Sequence, residues 1–121
     1  MSKIVVVDDS YAELQMIEGY LKAANHTVVS FPNTDKLEDK VAAEKPDLIV
    51  MDVVMPNKNG IDACRELKAH PQTHAIPIIL ATTRGEQENV EAGWAAGCND
   101  YVTKPVNGAE LLAKVRDLIR E

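Results

Sequence analysis

Three aspartates, a hydroxyl and a lysine carry the chemistry this 121-residue chain could perform. Asp8-Asp9, Asp52, Thr82-Thr83 and Lys104-Pro105 each follow directly on an apolar or β-prone stretch. Singly, each has an ordinary explanation. An aspartate after a strand caps a helix or forms a turn, a threonine there is structural, and Lys-Pro makes a surface turn. Jointly they suit one pocket. Two carboxylates ~4 Å apart repel by roughly 4 kcal/mol at an effective dielectric of 20, so a proton or a cation must relieve them. An all-oxygen donor set favours a hard cation, and few carboxylates plus water favour Mg²⁺, for which Mn²⁺ can substitute. A cation beside a carboxylate, an ammonium and a hydroxyl is what phosphoryl transfer requires. The carboxylate attacks while the positive groups offset charge on the equatorial oxygens.

The elements that must position these residues alternate along the chain. Ile4–Val7, Leu48–Met51 and Ile76–Leu80 are continuous apolar runs, as in strands covered on both faces. Thr27–Phe31 reads as a weaker strand and Tyr101–Thr103 as a short one. Between them run helical stripes: Leu14, Ile17, Leu21 and Ala24, then Leu37 with Val41, then Ile61, Cys64, Leu67 and the stem of Lys68. Val90, Gly93, Trp94 and Gly97 follow, then Leu111, Leu112, Val115, Leu118 and Ile119. Asp35 and Asn107 are expected N-caps, and Asn25 is expected to close the first helix. The prolines fall between elements or at strand starts.

This pattern predicts an α/β fold: a (βα)₅ doubly wound three-layer sandwich on a five-stranded parallel sheet of order 2-1-3-4-5, flavodoxin-like. In such sheets ligands bind beyond the carboxyl ends of the strands, where the order reverses. Asp8-Asp9 and Asp52 then end neighbouring strands. Strand 2 ends in Phe31-Pro32, with nothing reactive, as suits an edge strand remote from the site.

One domain fits the length, and the formal net charge of −6 argues against broad binding to nucleic acid or anionic lipid. The opening MSKIVVVDDS is too short and too soon acidic for a signal peptide, and no apolar run approaches a membrane span. A cytoplasmic setting is expected, with Cys64 and Cys98 as buried reduced thiols. His70 and His74 flank Pro71 in an expected loop with no acidic partner, which disfavours a metal pair. There is no P-loop and no G-x-G-x-x-G.

The motifs IVVVDDS, DLIVMDVVMPNKNG, IPIILATT and GCNDYVTKP together resemble the receiver domain of response regulators across nearly the whole chain. That resemblance implies a CheY-like phosphoacceptor switch in a two-component phosphorelay, not an enzyme acting on other substrates. Asp52 would accept the phosphoryl group from a sensor histidine kinase. Asp9, Asp52 and the Val54 main-chain carbonyl would ligate Mg²⁺, with Asp8 acting through water. Lys104 would pair with Asp52 and then with the phosphoryl group, Thr82 would move to bond it, and Tyr101 would follow Thr82 inward. The Lys104–Pro105 bond would be cis. A downstream effector protein would read the face of helix 4, strand 5 and helix 5. Tyr11 and Leu14 are candidates for docking the kinase, against ordinary core and rim packing. The protein would be a monomer or a weak phosphorylation-dependent dimer.

Thr83 departs from the small residue usual beside the switch hydroxyl. Val54 and Arg84 stand at variable positions on the route of attacking water, where Arg84 is expected to shield the acyl phosphate. Trp94 either packs on its helix stripe or reports partner binding. The stretch ATTRGEQENVEAGWAAGCNDYVTKPV resembles regulators of twitching motility or chemotaxis. The alternatives are a receiver cut from a larger transcriptional regulator, an aspartyl phosphohydrolase of the haloacid-dehalogenase type and a flavodoxin-like carrier. The second needs D-x-D after strand 1, where this chain has Asp8-Asp9-Ser10. The third needs aromatics that are scarce here. A chain ending directly after helix 5 favours a stand-alone protein.

Overall fold

The computed structural model describes residues 2–56, 58–83 and 87–119. Its strands are β1 (Lys3–Val7), β2 (Thr27–Phe31), β3 (Leu48–Asp52), β4 (Ile78–Thr83) and β5 (Asp100–Lys104). Its helices are α1 (Tyr11–Ala23), α2 (Leu37–Glu44), α3 (Gly60–Ala69), α4 (Gln87–Ala95) and α5 (Gly108–Leu118). The strands form one parallel sheet of order β2-β1-β3-β4-β5, as expected from the alternating pattern.

The continuous apolar runs become β1, β3 and β4, whose apolar residues lie buried against helices on both faces. Alternation splits them between two cores. Val5, Val7, Ile49 and Met51 pack with α2, α3 and α4, while Ile4, Val6, Leu48 and Val50 pack with α1 and α5. Burying one such side chain contributes about 1.5–3 kcal/mol, so a one-residue slip in register would exchange the two cores at large cost. Among the described residues no helix is long and apolar enough to cross a membrane.

Helix ends follow side-chain chemistry in part. Ser10, Asn59 and Asn107 each accept a hydrogen bond from the backbone N–H three residues on. At Asn25, φ is 71°, and the His26 N–H reaches back to the Leu21 carbonyl at 3.1 Å, closing α1 in a left-handed turn.

Four expectations fail locally. Asp35 does not cap α2. Its own N–H donates to Asn33 Oδ1 at 2.9 Å, so it sits within a turn, and the helix starts after Lys36 in a left-handed conformation with no side-chain cap. β4 begins at Ile78 instead of Ile76, because the Ile76 N–H is spent on the Thr73 carbonyl and Pro77 has none to offer. Trp94 is 47 % exposed and leaves the core stripe to the small residues Gly93 and Ala96, which let α4 lie close to β4. Gly97 falls beyond α4, at φ 102°, and terminates it.

Candidate functional site

Register brings the acids together. Val7 pairs with Met51 across β1 and β3, so Asp8 and Asp52 leave adjacent strands side by side. Asp8 and Asp52 are buried, whereas Asp9 is exposed at the rim. One carboxylate oxygen from each of Asp8, Asp9 and Asp52 lies within 4.8 Å of the others. This is the only such acidic, histidine or cysteine group of three among the described residues.

β5 supplies the counter-charge. Thr83 pairs with Lys104, which sends its ammonium over the site. Lys104 Nζ lies 3.1 Å from Asp8 Oδ2 and 3.2 Å from Asp52 Oδ2. The Lys104–Pro105 bond is cis, as expected. Asp8 Oδ1 also accepts from the Ser10 N–H at 2.9 Å, and the Val54 N–H donates to Asp52 Oδ1 at 3.4 Å.

One ammonium does not balance three carboxylates. Burial pushes the Asp52 carboxyl above its usual range. The Lys104 charge pulls it down, the Asp8 charge pushes it up again, and the balance is upward. For Lys104, burial opposes the charge, but the contacts with Asp8 and Asp52 outweigh it and raise the pKa. The pocket therefore retains excess negative charge, which a second cation would relieve.

The backbone around Asp52 is held closely. A Cβ on Gly60 would lie 2.1 Å from the Asp52 carbonyl oxygen, so only glycine fits at the start of α3. The Gly60 N–H bonds the Val53 carbonyl at 2.8 Å. Thr34, buried on the β2–α2 loop, donates its hydroxyl to the Lys58 carbonyl at 3.0 Å and pins the same β3–α3 loop from the other side.

Thr82 Oγ1 is buried and has no hydrogen-bond partner among the described residues. An orphaned buried hydroxyl costs about 1–3 kcal/mol and marks a position where an acceptor is missing. The hard-oxygen acid group at the ends of β1 and β3 is able to hold a divalent cation.

Residues 4–116 match the response regulator receiver domain. The chain belongs to that family. It is 36 % identical over 120 residues to the phosphate regulon transcriptional regulatory protein PhoB of Rhizobium meliloti, matching 99 % of this chain and 53 % of PhoB. It therefore spans about half the length of that relative. It is 35 % identical over 119 residues to Protein PilH of Pseudomonas aeruginosa, covering 98 % of each. The receiver domain of the sensor histidine kinase PA1611 from P. aeruginosa was solved with a magnesium ion in its active-site cleft. It is 28 % identical, covers 99 % of this chain and 98 % of its own, and superposes with TM-score 0.90.

The receiver fold thus gathers Asp8, Asp9, Asp52 and Lys104 from widely separated segments, with Val54 beside them. Val54 has its side chain 59 % exposed, and Thr83 is exposed at the end of β4. Arg84 lies outside the described residues. Leu14 is buried in the core beneath α1, whereas Tyr11 is 73 % exposed. His70 and His74 sit in a turn, where His70 Nδ1 accepts from the Gln72 N–H. Sequence reasoning missed Ser10 as the partner of Asp8, Thr34 as a loop anchor and Lys114 at the β5 edge. Only Lys114 left a signal, the helix-spaced pair Glu110–Lys114.

Proposed function

We propose that this receiver is a phosphoacceptor switch modified on Asp52 by a sensor histidine kinase. The observation that carries the reading is the shared Lys104 ammonium between Asp8 and Asp52, set within the three-carboxylate group. Asp52 forms the new O–P bond as the bond from phosphorus to its donor breaks. Lys104 then leaves the Asp52 carboxylate for a phosphoryl oxygen, and the Thr82 hydroxyl acquires the acceptor it lacks. Asp9, Asp52 and the Val54 carbonyl would hold Mg²⁺, with Asp8 contributing through water. When bound, Mg²⁺ offsets negative charge on the carboxylates and on the incoming oxygens.

Occupancy of Thr82 and Lys104 by the phosphoryl group biases the chain toward a second arrangement of Tyr101 and the α4–β5–α5 face. An effector protein reads that face. A role in chemotaxis or pilus-based motility, in the cytoplasm, belongs to the same proposal, and the match to PilH runs nearly end to end. The match to half of PhoB supports a second reading, a receiver module of a longer transcriptional regulator.

Incubation with acetyl phosphate and Mg²⁺, followed by mass mapping, tests the core claim. A single adduct of phosphate mass on Asp52 is expected. No adduct, or one on another residue, overturns it.

A further inference from the structure

The Tyr101 ring is held from two directions. β5 is an edge strand, and Tyr101 lies on the Leu80 side of the sheet, toward α4. The Trp94 ring of α4 meets the Tyr101 ring edge-on, with centroids 6.1 Å apart and planes at 89°. Lys114 belongs to α5, in the opposite helical layer. It reaches around the sheet edge and places Nζ 5.1 Å from the Tyr101 ring centroid. The same ammonium donates to the Tyr101 carbonyl at 2.5 Å and lies 3.2 Å from Glu110 Oε2 and 3.6 Å from Asp100 Oδ1. Asp100 Oδ1 in turn accepts from the Tyr101 N–H at 2.8 Å. The ring, the carbonyl and the N–H of one residue are therefore all engaged by this edge cluster.

We propose that Lys114, backed by Trp94, is a positioning residue that clamps Tyr101 in its resting orientation and so sets how readily this receiver switches. The inference rests on reading Tyr101 as the moving aromatic. An inward swing of the ring must give up the cation–π contact and the edge contact with Trp94. The clamp therefore favours the resting state and opposes the phosphorylated one. A contact of this kind at a partly exposed site corresponds to about a 2–5-fold shift in a two-state equilibrium. The two carboxylates fix the ammonium over the ring, so Glu110 and Asp100 act through Lys114.

Beryllofluoride with Mg²⁺, a non-covalent mimic of the phosphoryl group, supplies the test, read as the bound resonance in ¹⁹F NMR. In Lys114→Met, which keeps the aliphatic stem, half-saturation is expected at about 2–5-fold lower beryllofluoride than in the unsubstituted chain. Lys114→Arg, which keeps a cation over the ring, is expected to restore the original value. In a Tyr101→Ala background, Lys114→Met should have no effect. Loss of fold stability weakens binding, so it cannot mimic the expected gain. An unchanged or higher half-saturation in Lys114→Met overturns the clamp while leaving the phosphoacceptor reading intact, as does a gain that persists without Tyr101. A chain that gives no bound resonance at all overturns the phosphoacceptor reading and the clamp with it.

Discussion

The two ends of the sheet each gather several oxygens around one half-buried lysine, but with opposite outcomes. At the carboxyl end, Lys104 meets two carboxylates and its pKa is raised. At the amino end, Lys68 Nζ donates to the Ile76 carbonyl at 2.8 Å, to Asn99 Oδ1 at 2.9 Å and more weakly to the His74 carbonyl at 3.5 Å. Burial lowers the Lys68 pKa, and no acid pairs with it among the described contacts. Asn99 Oδ1 also accepts from the Ile78 N–H, and Thr73 donates to the Leu67 carbonyl, so this end closes on itself. The carboxyl end keeps surplus negative charge and an orphaned hydroxyl. The polar groups around Lys68 are spent on the fold, whereas those around Lys104 leave surplus negative charge and one hydroxyl without a partner among the described residues.

The contrast can be broken first at Asp52. Asp52→Asn should abolish the acetyl phosphate adduct completely while leaving the melting temperature unchanged or higher, since a neutral side chain replaces a buried charge that burial disfavours. Calorimetry on the same sample checks the second half. Lys104→Met strands Asp8 and Asp52 without their cation. It should cost about 3 kcal/mol in urea unfolding without Mg²⁺, and a large part of that loss should return when Mg²⁺ is added. Lys68→Met removes bonds to neutral acceptors only, so a loss of about 1–2 kcal/mol is expected. Mg²⁺ should not alter it. Equal Mg²⁺ responses from the two lysine variants would erase the distinction between the ends.

The smallest effect concerns the thiols of the closed side. Burial pushes Cys64 and Cys98 up to about 11. In the unfolded chain a cysteine ionises near pH 8.5, so the unfolded state loses its protons first as pH rises. The stabilisation is complete below that value and is lost progressively as pH climbs toward 11. A decline on the order of 1 kcal/mol per thiol is expected by about pH 10, and Cys64→Ala should flatten part of it. Stability curves at several pH values would check the slope.

The sequence made the strands and the acid–lysine set legible because both rest on short-range signals, and the strand order followed from the topology of an alternating β/α chain. Continuous apolar runs mark strands buried on both faces, and each reactive residue stands directly at the end of one. Tertiary contacts explain what was not legible. Lys68 and Asn99 are 31 residues apart and meet only because α3 crosses the start of β4 and β5. Trp94 reads as core by periodicity, yet the approach of α4 to β4 needs Gly93 at the contact, which turns the indole outward. Asp35 has the right side chain for a cap, but it lies within the Asn33 turn and α2 starts only after Lys36. Thr34 gives no local sign that its hydroxyl will anchor a loop 24 residues away.

Paramagnetic mapping with Mn²⁺ compares the two ends in a single experiment. Substoichiometric Mn²⁺ should broaden the amide resonances of Asp8, Asp9 and the residues flanking Asp52, sparing Lys68, Ile76 and Asn99, with Mg²⁺ reversing the effect. Broadening centred on His70 and His74, or none at millimolar Mn²⁺, would contradict the claim that the carboxyl end of this sheet is the cation-binding one.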